Sequence, residues 1–68
     1  PMLQVLFLSN NKLKNIDLRE HENLVDISLF NNPLQKVDVS KSYSLELLEL
    51  DSRVECMGIG CAMRFDGY

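Results

Sequence analysis

Few side chains in this sequence could carry out chemistry: there is one histidine, His21, and there are two cysteines, Cys56 and Cys61. A catalytic nucleophile requires a base that activates it and usually a third group that orients this base. A single histidine cannot supply such an arrangement, and glycine-rich phosphate loops are missing. We therefore expect neither enzymatic activity nor a cofactor, and we interpret His21 as a turn residue between two glutamates.

The sequence does not indicate a metal site. Zinc needs more ligands than the two cysteines and the distant His21 provide. Asp17 and Asp38 lie 21 residues apart and are expected to stack, but calcium needs six or more oxygens, and the nonapeptide pattern that supplies them is absent. We interpret the two aspartates as a solvated column.

The cysteines allow two predictions that depend on local structure. If the chain from Cys56 to Cys61 is extended, its end Cα atoms lie about 16 Å apart, well beyond the ~7 Å limit for a disulfide. If residues 57–60 form a turn, an intrachain disulfide is possible. We expect the strand, and hence free cysteines that behave as small hydrophobic residues. A thiol-dependent activity at this pair is a distant alternative.

Length and charge limit the classes of partner. The 68 residues, 46% of them hydrophobic, are too few for two domains. The net charge of -3 argues against nucleic acid as a partner, because no positive field holds the chain to phosphate. No apolar run reaches the ~18 residues of a membrane span.

The structural elements that position the histidine, the cysteines and the aspartates belong to an internal repeat. Residues 3–23 and 24–44 align without a gap at a spacing of 21, and a degenerate third copy covers 45–62. Leu, Ile or Val fills every aliphatic position of the template up to Leu50. Each half of a copy alternates apolar and polar residues, which is typical of a short strand with one buried face. The pattern predicts two strands per coil and little or no helix.

Asparagines mark the turn after the first strand of each coil. Asn11 and Asn32 can satisfy backbone groups from inside the turn, and we expect them to form a short structural ladder. Asn10 and Asn31 tolerate the left-handed conformation that such turns require.

The pattern L-x-x-L-x-L-x-x-N-x-L, at 3–13 and 24–34, resembles the conserved segment of leucine-rich repeats. The 21-residue length resembles the mainly bacterial, IRREKO-like subclass, although His21, Ser42 and Arg53 stand where that pattern has asparagine. The resemblance implies a leucine-rich-repeat solenoid with short parallel β-strands on two faces, little or no helix and an irregular C-terminal cap. It also implies a secreted or cell-surface protein.

The repeat becomes irregular after Leu50. Deleting one residue restores it, which puts Val54, Met57 and Ile59 in aliphatic positions, with residues 63–68 as a C-terminal cap. The chain is thus predicted to be one domain, 1–68, at the C-terminal end of a longer protein. Because Leu3 opens a coil with no polar cap before it, we also expect self-association through the uncapped N-terminal end.

The outward side chains of the first sheet are the candidate partner-binding residues. They are Val5, Phe7, Ser9, Asp26, Ser28, Phe30, Leu47, Glu49 and Asp51. Aromatic and aliphatic groups beside carboxylates are typical of a protein-binding face, and the equivalent surface contacts ligands in leucine-rich repeats. Three alternatives remain: this face packs on another part of the chain or on a second copy, it is ordinary surface, or the chain is the structural end of a larger repeat protein.

Overall fold

Short strands recur along the chain wherever the repeat alternates apolar and polar residues. The computed structural model describes residues 2–67 and forms a small β-solenoid of about three turns with almost no helix, as predicted. The strands are β1 (Val5–Phe7), β2 (Asp26–Ser28), β3 (Lys36–Asp38), β4 (Leu47–Leu50), β5 (Glu55–Met57) and β6 (Arg64–Asp66), and the one 3-10 helix of the described part is Ile59–Met63.

The strands form two parallel sheets. The first sheet has the order β1-β2-β4-β6, and the second sheet contains β3 and β5. Val5 aligns with Asp26, and Asp26 aligns with Leu47, so the 21-residue repeat sets the register of the first three strands. Two strands were predicted in every coil, but residues 15–18 of the first coil form none. Within residues 2–67 the second sheet therefore begins in the second coil.

The core is centred on the middle coil. Six inward aliphatic side chains of this coil are at most 1% exposed, because a coil on each side covers them. These residues are Leu24, Ile27, Leu29, Leu34, Val37 and Val39. In the first coil, Leu6, Leu8, Leu13 and Ile16 are only partly buried against this cluster. Burial in the solenoid thus depends on the neighbouring coils as well as on side-chain type.

The last coil differs from the predicted register by one residue. Cys56 aligns with Val37 and takes the inward position, whereas Met57 is 43% and Ile59 71% exposed. The prediction that Met57 and Ile59 are aliphatic core residues was wrong, although Val54 is buried as expected. A one-residue shift along a strand moves each side chain to the opposite face of the sheet, which explains the exchange of Cys56 and Met57.

Cys56 and Cys61 form a disulfide, so the expectation of free cysteines was wrong. The strand ends at Met57, Gly58 follows with a φ of 103°, and the 3-10 helix brings the two Cα atoms to 5.8 Å. A Cβ on Gly58 would lie 2.3 Å from the Ser40 Cα. Glycine is therefore required here both by conformation and by the close approach of the preceding coil.

Residues 64–66 of the segment predicted as a cap form β6, the fourth strand of the first sheet. Phe65 aligns with Glu49 of β4. The guanidinium of Arg64 donates hydrogen bonds to the backbone carbonyls of Asp51 and Val54, at 3.2 and 3.0 Å. These bonds fix the end of the chain against the third coil. Tyr68, also assigned to the cap, lies outside the described residues.

Candidate protein-binding face

Outward-pointing side chains of the first sheet form the surface that we call the first face. Two rows of this face follow from the strand register. The lower row contains Val5, Asp26 and Leu47, and the upper row contains Phe7, Ser28, Glu49 and Phe65. Each row crosses the strands, with neighbouring positions about 4.8 Å apart. Ser9, Phe30 and Asp51 continue the face beyond the upper row.

Large apolar groups are exposed at the borders of the first face. Phe7 is 64% exposed on β1, and Phe65 is 56% exposed on β6, at the opposite edge of the sheet. Val5 and Leu47 are also exposed. Four exposed apolar side chains on one sheet of a 68-residue chain form the kind of mixed patch found at protein interfaces.

Phe65 was not among the predicted site residues, because the sequence placed it in a terminal cap. The only signal for it was an apolar residue between two charged ones, Arg64 and Asp66, which is too short a pattern to identify a strand. Its ring packs edge to face on Phe30, with ring centroids 6.4 Å apart. Phe30 is therefore half-buried within the chain and offers less surface to a partner than predicted.

Ser28 and Asp51 are buried, although both were predicted to contact a partner. They are 8% and 7% exposed. The hydroxyls of Ser9 and Ser28 are hydrogen bonded to each other at 2.8 Å. Both carboxylate oxygens of Asp51 accept from the backbone N–H of Asn31. These residues stabilise the face from within.

Two carboxylates of the first face, Asp26 and Glu49, have neither an ion pair nor a side-chain hydrogen bond to any of residues 2–67. Asp26 Oδ1 is also shielded from solvent without a donor. Opposite them in the register stand Leu47 and Ser28, neither of which is charged. The centre of the face is therefore anionic and uncompensated.

Asparagine side chains organise the turn beside the face, as predicted. Asn32 is buried, and its amide donates to the carbonyls of Leu8, Leu29 and Phe30 while its Oδ1 accepts from the Leu13 N–H. Asn11 makes the corresponding bonds to Leu8 and Ser9 within its own coil. In the third coil Arg53 takes this position and donates to the carbonyls of Asn32 and Leu34.

Asn10 and Asn31 adopt the predicted left-handed conformation, with φ of 62° and 60°. The Asn31 amide donates to Asn10 Oδ1 at 2.8 Å, which links two coils at the surface. A shallow groove of about 470 Å³ lies beside them and is also lined by Asp51, Ser52 and Arg53. Its polar groups are already largely hydrogen bonded within the chain.

Two aspartates on the side of the second sheet, Asp17 and Asp38, are hydrogen bonded within their own turns. Asp17 accepts from the backbone N–H of Arg19 and forms an ion pair with its guanidinium at 2.9 Å. The side-chain hydrogen bond from Arg19 is the main cause that lowers the pKa of Asp17 from 3.8 to about 2. Hydrogen bonds from Ser40 likewise lower the pKa of Asp38. Both side chains are accessible to solvent, and their hydrogen bonds stabilise the local turns.

His21 lies in a turn, where its backbone N–H donates to the Leu18 carbonyl. Its Nδ1 is shielded from solvent and has no hydrogen-bond partner among residues 2–67, as is also true of the Ser42 hydroxyl. Within the same range no group of three or more His, Cys, Asp or Glu residues is placed to hold a metal ion. None of the described helices is long and apolar enough to cross a membrane.

Comparisons with family models, with curated proteins and with solved structures find no match to the chain.

Proposed function

We propose that this chain is a protein-protein interaction module of the leucine-rich-repeat type that binds a partner through the first face. The observation that carries the proposal is the exposure of Phe7 and Phe65 at opposite edges of one parallel sheet, together with Val5 on the edge strand β1 and Leu47 on the inner strand β4. Exposed aromatic side chains that surround polar groups are typical anchors in protein interfaces. The repeat pattern supports the family, and no residue set supports catalysis.

The face combines rigidity with exposure, which favours binding. Its strands are held by ladder hydrogen bonds, and the inward side chains of β2 and β4 are almost fully buried. A preorganised surface loses little conformational entropy when a partner binds. Removing an exposed aromatic side chain from such a surface therefore weakens binding much more than folding.

The proposal is tested with a random dodecapeptide display library selected on the immobilised 68-residue chain. Recovered peptides are then measured against the double variant Phe7→Ala/Phe65→Ala. We expect an affinity loss of at least about tenfold, because aromatic anchors dominate interface energies. Met57→Ala, which truncates an exposed side chain of the second sheet, is the matched control and leaves the affinity unchanged.

The alternative function is a structural or capping end of a larger repeat protein. It is supported by the disulfide and by β6, which fix the last coil tightly. If no recovered peptide distinguishes the double variant from the original chain, the interaction proposal is wrong. If the double variant instead fails to fold, as judged by circular dichroism, the two phenylalanines are structural and the alternative is favoured.

A further inference from the structure

The charges of the first face are distributed unevenly. Asp26 and Glu49 lie at its centre, and none of the outward residues of β1, β2, β4 and β6 named above is a lysine or arginine. The basic residues of the repeats, among them Lys12, Lys36 and Lys41, are outside these strands. A partner that covers the face with apolar groups alone would bury two unpaired carboxylates at considerable cost.

The position of the two carboxylates suits a single cation. Asp26 of β2 aligns with Leu47, and Glu49 lies two residues further along β4. From the strand spacing and the rise per residue, their Cα atoms are about 8 Å apart. The long side chain of one lysine or arginine can reach both carboxylates.

The spacing of the apolar anchors suits an extended peptide. Phe7 and Phe65 are three strand positions apart in the upper row, which corresponds to about 14 Å. In an extended peptide, side chains on one face recur every ~6.8 Å, so residues i and i+4 match the two phenylalanines. Residue i+2 then lies over the middle of the row, beside Glu49.

This inference rests on the proposed function. We propose that the first face binds an extended peptide segment that runs across its strands. The segment carries a Lys or Arg midway between two apolar residues that are four positions apart. The apolar residues contact Phe7 and Phe65, and the cation pairs with Asp26 and Glu49. Desolvation between the two rings strengthens this ion pair relative to one in open solvent.

A second copy of this chain does not provide the segment. Only Val39–Tyr43 has an apolar residue, a lysine and an aromatic residue at the required spacing. Val39 is fully buried in the core of its own coil, so it is not available for docking while the chain is folded. No folded segment of these 68 residues therefore serves as the occupant, which we take to be a segment of a partner protein.

The test titrates the ¹⁵N-labelled 68-residue chain with synthetic nonapeptides and follows backbone amide shifts. The first peptide carries Leu-Ser-Lys-Ser-Leu between Gly-Ser flanks, the second has Glu in place of Lys, and a third has the contracted sequence Leu-Lys-Leu. We expect shifts on β1, β2, β4 and β6, and a dissociation constant for the Lys peptide at least tenfold lower than for either of the others.

Charge reversal supplies the matched controls. Glu49→Lys is expected to abolish the tenfold preference for the Lys peptide, because the site then carries one negative and one positive charge. Glu55→Lys makes the same charge change at an exposed position of the second sheet and keeps the original preference. Equal effects of the two variants would show that only net charge matters and would overturn the inference.

Failure of this inference is distinguishable from failure of the proposed function. If the Lys peptide shows no binding up to millimolar concentration, or no preference over the Glu peptide, the inference is wrong. The function itself still stands in that case, provided that library peptides depend on Phe7 and Phe65. Concentration-dependent dimers that protect the first face in sedimentation and amide-exchange measurements would instead identify a second copy as its occupant and overturn the inference.

Discussion

Aspartates on the two sides of the solenoid differ in their hydrogen bonds. On the side of the second sheet, Asp17, which lies in no strand, and Asp38 of β3 each accept a hydrogen bond from the backbone N–H two residues later. On the first sheet, Asp26 and Glu49 have no such partner within residues 2–67. The same residue type thus completes a turn on one side and leaves charge available on the other.

The apolar residues differ between the sheets as well. Exposed aromatic side chains occur on the first sheet, at Phe7 and Phe65, whereas the outward positions of β3 and β5 carry Lys36, Asp38, Glu55 and Met57. We propose from this comparison that the first sheet is the surface for recognition and that the second mainly closes the coil. The following predictions test this division.

The largest expected effect concerns the turns that follow the two sheets. Asn32 is 2% exposed and satisfies three carbonyls and one N–H, so Asn32→Ala leaves several buried backbone groups unpaired. We expect a loss of about 3 kcal/mol in the free energy of unfolding, measured by urea denaturation.

Ser42 is the matched control on the other side of the coil. It is equally buried, but its hydroxyl has no hydrogen-bond partner in the described part of the chain. Ser42→Ala is therefore expected to change the free energy of unfolding by less than about 0.5 kcal/mol or to stabilise the chain. Similar losses in both variants would contradict the proposed difference between the two turns.

A smaller effect is expected from removing the disulfide. Replacing Cys56 and Cys61 together by alanine releases a short loop and should lower the free energy of unfolding by about 2 kcal/mol. The second sheet should respond first, because the Val39 N–H donates to the Met57 carbonyl next to Cys56.

Amide hydrogen exchange measures this effect locally. Exchange at Val39 should accelerate more in the double variant than exchange at Leu29, whose N–H donates to the Glu49 carbonyl in the first sheet. Equal acceleration at both amides would show that the sheets unfold as one unit and that the disulfide supports both.

The smallest effect concerns the Asp17–Arg19 ion pair, which is exposed to solvent. Because the pKa of Asp17 is lowered from 3.8 to about 2 in the folded chain, the unfolded chain binds the proton more readily. The stabilisation by this pair is therefore fully present above pH 3.8 and is lost as the pH falls through 2.

Thermal unfolding of Asp17→Asn tests this pH dependence. The Tm of the variant should lie slightly below that of the original chain at pH 6, and the difference should vanish near pH 2. A Tm difference that persists unchanged at pH 2 would show that Asp17 stabilises the fold by an interaction that does not depend on its negative charge.

Where the 21-residue period holds, the sequence predicted the structure closely. The alternation around Leu6 and Ile27 predicted parallel strands in register, and Asn10 and Asn31 predicted left-handed turns. Asn32 was correctly assigned to the inside of its turn. These features depend on residues near one another in sequence or exactly one coil apart, so a single aligned repeat contains the necessary information.

Site residues were predicted less completely. Val5, Phe7 and Leu47 are exposed on the first face as expected, but Ser28 and Asp51 are buried by partners in the neighbouring coil or turn. Alternation assigns a side chain to a face of the sheet, yet the burial of that side chain also depends on what packs above it.

By itself, the sequence determined the length of the coil, the register of the strands in the first three coils of the first sheet, the buried aliphatic positions of the middle coil and the asparagine turns. Tertiary structure alone decided the last coil, including the Cys56–Cys61 disulfide and the pairing of β6, which brings Phe65 to the edge of the first face. The physical reason is that the period ends there. The position of the chain is then set by the contact of Gly58 with Ser40 and by the hydrogen bonds of Arg64 to a distant turn, which no local pattern encodes.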